Sequence, residues 1–117
     1  MAEESKVERV RRLNDEMRER MLGGDVAAYG TFAMTQGVIA NGEQFVAKAL
    51  QAVARFDDFT EDNDPYGEHD FGSFAIGKEK LFWKIDYYDL DLKNHSPDKA
   101  DLGVTQRVLT IMLASEY

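Results

Sequence analysis

The sequence contains no cysteine, and that one absence removes disulfide frameworks, thiolate zinc sites, iron–sulfur clusters and cysteine nucleophiles together. A reducing compartment fits. Proline occurs only twice, and no internal repeat or low-complexity segment is present. Long apolar runs are also missing: the longest, around Val108 to Ala114, is far too short to span a bilayer. The opening Met1-Ala2-Glu3-Glu4-Ser5 is acidic where a secretory signal needs basic residues before an apolar run, so the expectation is a cytoplasmic protein with no membrane contact. Positive charge is scarce as well. Fourteen Lys and Arg face twenty-two Asp and Glu, a formal net charge of -8, which leaves few cations to displace counterions from a phosphate backbone or to hold an anionic membrane. Direct nucleic-acid binding is not expected.

What is present is enough for a core: 117 residues, 44% hydrophobic and 11% aromatic, point to one folded domain over residues 1–117. The charge is unevenly spread. Residues 1–22 hold six acids and six bases and are neutral, whereas Asp57 to Gly77 hold seven acids (Asp57, Asp58, Glu61, Asp62, Asp64, Glu68, Asp70) and no Lys or Arg.

Val7, Val10, Leu13, Met17 and Met21 recur at spacings of three and four, predicting an N-terminal helix within residues 1–22. Its arginines, Arg9, Arg11, Arg12, Arg18 and Arg20, alternate with acids and read as a solvated face with i, i+4 pairing. Val26 to Val38, rich in Thr, Tyr, Phe and Val, reads as a strand weakened by Gly30 and Gly37. Asn41-Gly42-Glu43-Gln44 resembles a capping box opening a second helix, roughly Gly42 to Arg55. An acidic loop over 57–70, with Asn63, Pro65 and Gly67 as turn formers, precedes a β-hairpin over 71–88, in which Leu81, Trp83, Ile85 and Tyr87 alternate with polar or outward residues. Ser96-Pro97-Asp98 has helix-start chemistry, and the apolar positions from Val104 to Ser115 cover most of a helical circumference, predicting a buried C-terminal helical segment over 97–115. The expected fold class is therefore α+β: about three helices packed on a small, about three-stranded antiparallel sheet.

The densest text is the run Arg55 to Phe74, RFDDFTEDNDPYGEHDFGSF, followed by FWKIDYYD from Phe82 and the ending VLTIMLASEY from Val108. With Ser96-Pro97-Asp98, these segments resemble a bacterial domain-of-unknown-function family of small proteins, often encoded on plasmids and prophages, from Val7 onward. The resemblance implies a fold and a gene neighbourhood, and brings no activity to transfer residue by residue.

The residues themselves leave several chemistries open. Asp62, Asp64, Glu68, His69 and Asp70 are hard ligands within nine residues, so a divalent metal held by Asp62, Asp64, His69 and Asp70 is one alternative. A calcium loop fails at Tyr66 and Ser73, where oxygen ligands are required; a transition-metal site would draw on His69 with Asp70, Asp86 or His95. A metal-dependent hydrolase or nuclease would use Glu68, His69, Asp70, Asp86 and Asp89, although no nucleophile elbow or phosphate loop accompanies them. The favoured expectation is non-catalytic and cofactor-free. Asp57, Asp58, Glu61, Asp62, Asp64, Glu68 and Asp70, with Tyr66, Tyr87 and Tyr88 as contact anchors, would bind a basic protein or nucleic-acid-binding complex. In a mobile-element setting the expected role is inhibition of host defence, anti-CRISPR or anti-restriction, by imitating DNA. The bland alternative is that these acids cap turns and keep the protein soluble.

Overall fold

Ser5 starts the first helix as a capping box. Its Oγ accepts the Glu8 N–H at 3.1 Å, and Glu8 Oε1 accepts the Ser5 N–H at 3.0 Å. In the computed structural model, which describes residues 3–117, this opens α1 (Lys6–Arg20), whose Val10, Leu13 and Met17 are buried. The first two residues of the expected 1–22 helix lie outside the described residues. A 3-10 turn, Met21–Gly23, follows and ends at Gly24 in the left-handed conformation.

The expected strand over Val26 to Val38 divides into β1 (Gly30–Met34) and a short α2 (Gln36–Ala40). The cause is distant in sequence: the Glu116 carboxylate accepts the Thr35 hydroxyl at 2.5 Å and the Gly37 N–H at 3.0 Å, supplying the start of α2 with an acceptor. These bonds hold the Glu116 carboxyl below its ordinary pKa. Next comes α3 (Glu43–Ala54), close to the expected Gly42 to Arg55. Its N-cap, however, is Gly42, and Asn41 instead donates its Nδ2 to the Gly37 carbonyl at 2.8 Å, closing α2.

The hairpin over 71–88 is present as β2 (Phe71–Ile76) and β3 (Glu79–Tyr88), with Leu81, Trp83 and Ile85 buried. The expected C-terminal helix over 97–115 is instead β4 (Gln106–Leu113) followed by a 3-10 turn. A central strand covered on one face and partly filled on the other is as continuously apolar as a buried helix, so periodicity could not separate them. The Ser96-Pro97-Asp98 chemistry is used for turns: Ser96 Oγ accepts the Asp98 N–H at 3.1 Å, and Asp98 Oδ1 accepts the Ala100 N–H at 3.1 Å.

The sheet consequently has four strands, in the order β1-β4-β3-β2, and is mixed rather than antiparallel, since β1 runs parallel to β4. The count of three helices agrees, with α2 in place of the C-terminal one. All three contribute to one core, in which Leu13, Met17, Val38, Ala49 and Val53 meet Leu81, Trp83, Ile85, Leu109 and Ile111 of the sheet. Each such large side chain, fully buried, stabilises by roughly 1.5–3 kcal/mol. The uncovered face carries Lys84, Asp86, Tyr88, Val108 and Thr110, with Phe71, Phe82 and Tyr117 clustered at one side. Among the described residues, no helix is long and apolar enough to cross a membrane.

The parallel pairing depends on Gly30, which lies opposite Arg107; a Cβ there would stand 1.8 Å from the Arg107 carbonyl oxygen. Gly30→Ala is expected to destabilise by about 3 kcal/mol or more in urea unfolding. Gly23→Ala, where nothing lies within 4 Å and φ is not left-handed, stays within about 0.5 kcal/mol of wild type.

Candidate functional site

The acidic loop is built by its own short side chains. Thr60 and Asn63 exchange bonds, Thr60 N–H to Asn63 Oδ1 at 2.8 Å and Asn63 N–H to Thr60 Oγ1 at 3.3 Å, while Asn63 Nδ2 donates to the Asp58 carbonyl at 2.8 Å. Phe59 points inward and stacks on the His69 ring, 3.7 Å between centroids and 2° from parallel, with Phe56 packed edge-on at 5.0 Å. These contacts hold the turn from within.

This folding divides the seven acids. Asp57, Asp58, Glu61 and Asp62 are exposed, beside Tyr66 at 79% exposure, and among the described residues none of the four carboxylates takes part in a salt bridge. Asp64, Glu68 and Asp70 turn inward. Asp64 accepts the His69 N–H at 3.1 Å. Glu68 is buried and pairs with Lys99 at 2.7 Å. Asp70 accepts the Tyr87 hydroxyl at 3.1 Å. Glu68, Asp70 and Tyr87 thus all make contacts within the protein. Tyr88 is half-buried on the uncovered sheet face.

His69 has a left-handed backbone, φ 55, rare for a residue with a Cβ. That conformation turns its ring against α1, where Nδ1 lies 2.8 Å from Asp15 Oδ1 and Nε2 lies 3.7 Å from Asp64 Oδ2. The carboxylate nearest the imidazole is thus Asp15, neither of its chain neighbours. Asp15 also holds Arg18 at 2.6 Å, and Arg18, only 3% exposed, donates Nη1 to the Val53 and Phe56 carbonyls. Its guanidinium lies over Phe59 and Trp83. The solvated-face reading fails for Arg18 and for Arg11, whose Nε donates to the Gly67 carbonyl at 2.6 Å. It holds for Arg12, which pairs with Glu4 and Glu16.

Beneath the loop lies a second polar cluster. Arg107 on β4 is fully buried; its Nε donates to Asn14 Oδ1 and its Nη2 to the Lys99 carbonyl, both at 2.7 Å, while its guanidinium lies 5.1 Å from the Tyr87 ring centroid. Asn14 Nδ2 in turn donates to the Tyr87 hydroxyl at 2.7 Å and to the Glu68 carbonyl at 3.0 Å. Among the described residues, Arg107 Nη1, Arg18 Nε and Trp83 Nε1 are buried without a hydrogen-bond partner. Burial lowers the Arg107 pKa and raises that of Tyr87. Burial also raises the Asp70 pKa, with Glu68 and Asp64 adding repulsion and only the Tyr87 and Lys99 contacts opposing it.

The residues of the hydrolase alternative have separate attachments. Glu68 is paired with Lys99, His69 with Asp15, and Asp70 with Tyr87; Asp86 joins Lys84 at 2.8 Å, and Asp89 accepts the Lys93 N–H at 3.0 Å to close a turn. The metal alternative has exposed Asp62 apart from the inward Asp64, His69 and Asp70, and His95 is exposed in its own loop. Among the described residues, no three His, Cys, Asp or Glu are grouped so as to hold a metal ion.

A family model described as a protein of unknown function (DUF3768) matches residues 34–116. The chain belongs to this family. No curated protein and no solved structure matches it. The DUF3768 match takes in the acidic loop and strands β2, β3 and β4, and begins after α1, the helix that supplies Asn14, Asp15 and Arg18. Those three, with Lys99 and Arg107, were missed as site residues. One signal was available: Asn14 and Arg18 share the three-and-four spacing of Val10, Leu13, Met17 and Met21, so they fall on the apolar stripe.

Asn14→Ala leaves Arg107 Nε and the Glu68 carbonyl without their partner, and is expected to cost about 3 kcal/mol in urea unfolding. Asp70 gives the opposite sign. Its folded pKa lies above the unfolded one, so the folded state binds more protons in that interval and stability falls as pH rises through it. Asp70→Asn is therefore expected to raise the unfolding midpoint at neutral pH, with the gain vanishing in acid once both states are protonated.

Proposed function

We propose that this DUF3768 protein is a non-catalytic acidic binding module whose outward carboxylates occupy a basic surface that its partner otherwise uses for nucleic acid. The observation that carries this reading is the division of the loop: Asp57, Asp58, Glu61 and Asp62 are exposed and, among the described residues, outside any salt bridge, on a turn held by Thr60, Asn63 and the Phe59–His69 stack. Carboxylates fixed in place before binding steer a cationic surface toward them and lose little conformational freedom on contact. Tyr66, the most exposed large side chain of the loop, supplies contact area beside them. The resemblance to plasmid- and prophage-borne proteins points to host-defence nuclease complexes as the partner class to try first.

The test is capture of partners from a bacterial lysate at low salt, followed by calorimetry with the purified partner. Binding is expected to weaken steeply with salt and to be displaced by duplex DNA. The combined change Asp57→Asn, Asp58→Asn, Glu61→Gln and Asp62→Asn is expected to cost about 2 kcal/mol, near a thirtyfold loss. A partner indifferent both to the four changes and to added DNA overturns the proposal.

A further inference from the structure

Two strands lie at the edges of the sheet, β1 and β2, and they leave different lengths of backbone unpaired. The Asp70 carbonyl accepts the Ile85 N–H at 2.9 Å, so by antiparallel alternation Asp70, Gly72, Phe74 and Ile76 direct their peptide groups at β3. Phe71, Ser73 and Ala75 between them turn their N–H and C=O groups the other way, out of the sheet. Among the described residues, no other backbone segment bonds to those groups. β1 is the shorter edge: the Gly30 N–H donates to the Val26 carbonyl at 3.0 Å, and the strand ends at Met34, just before α2.

Open edges are ordinarily guarded by lysine, proline or a bulge. β2, Phe71-Gly72-Ser73-Phe74-Ala75-Ile76, has no charge and no proline, and its register with β3 runs without a break. Ser73 and Ala75 are small and exposed, so a second backbone can come alongside. The two ends of the strand differ in charge. The acidic loop runs directly into Phe71, and its other end is held there too, since Phe56 lies against Gly72, where an added Cβ would stand 2.7 Å from its ring. Past Ile76 come exposed Lys78, Glu79 and Lys80, the first cations after the acidic run. A parallel copy of this strand would put like ends together, whereas an antiparallel copy puts each basic turn beside the other's acidic loop.

We propose that β2 pairs antiparallel with β2 of a second copy of this chain, about a two-fold axis at Ser73, joining two four-stranded sheets into one. In that register Ser73 lies opposite its own counterpart and Phe71 opposite Ala75, with two backbone bonds at each pair. Gly72 then faces the half-buried Phe74 of the second copy, an aromatic ring against an edge glycine. Lys78 of each copy reaches the 68–70 end of the other's loop. The inference does not depend on the binding role proposed above, because Asp57, Asp58, Glu61 and Asp62 are not on the paired strand.

Sedimentation of the intact protein across a concentration series is the first test, and a reversible monomer–dimer equilibrium is expected. Ser73→Lys sets like charges opposite each other at an exposed position, and is expected to leave the fold unchanged while weakening association by about tenfold or more. Ser73→Pro, which removes an outward N–H and spares the bonds to β3, is expected to give the same loss. Lys78→Glu is expected to weaken association by about threefold. Because the chain has no cysteine, single cysteines report the register. A short bifunctional thiol reagent is expected to link Ser73→Cys to its counterpart, since Cα atoms of a bonded antiparallel pair lie about 5.5 Å apart. Ala75→Cys, about 13 Å from its own counterpart, is expected to stay unlinked. A mass that remains that of one chain up to about 1 mM overturns the inference and leaves the edge for a foreign strand. Association that survives both Ser73 variants, or equal cross-linking at 73 and 75, overturns it as well.

Discussion

Arg107 lies in the second strand of the sheet, fully buried, and among the described residues no carboxylate is bonded to it. A buried cation without a counter-ion is costly unless oriented dipoles replace its water, and here those come from Asn14, the Lys99 carbonyl and the face of Tyr87. Those three groups belong to α1, the 95–105 connection and β3. Holding one guanidinium through its Nε, its Nη2 and its face therefore ties three otherwise separate pieces to β4, and the pairing of β4 with β1 then requires glycine at position 30.

The same demand shapes the loop above. Asn14 has one amide to share, and after accepting from Arg107 it donates to Tyr87 and to the Glu68 backbone, which draws the 64–70 segment down onto α1. Glu68 then meets Lys99, and His69 meets Asp15 only by entering the left-handed region. Phe59 closes the other side of the imidazole. An acidic run that would repel itself as an extended chain is thus held by three inward acids with partners, leaving four outward ones free to act on solution.

Elements with strong local periods were legible. The Val10-Leu13-Met17 stripe, the second helix expected from Gly42 to Arg55 and the Leu81-Trp83-Ile85 alternation became α1, α3 and β3. The acidic loop was also legible, because its turn formers and uncompensated charge are contiguous. Misreading came where a segment's environment is supplied from far away. Gln36 to Ala40 became helical under a carboxylate at Glu116, and Gln106 to Leu113 became a strand because neighbours were waiting on both edges.

At the site, the sequence determined which residues could carry charge and that the charge would gather between the second helix and the hairpin, since composition and turn chemistry are local properties. It could not determine which carboxylates stay outside. That choice came from long-range pairing: Asp15 with His69, Asn14 with Arg107, Glu68 with Lys99, each across more than thirty residues of chain. Only the closed fold brings such partners within hydrogen-bonding distance, and a buried charge is retained only where such a partner arrives.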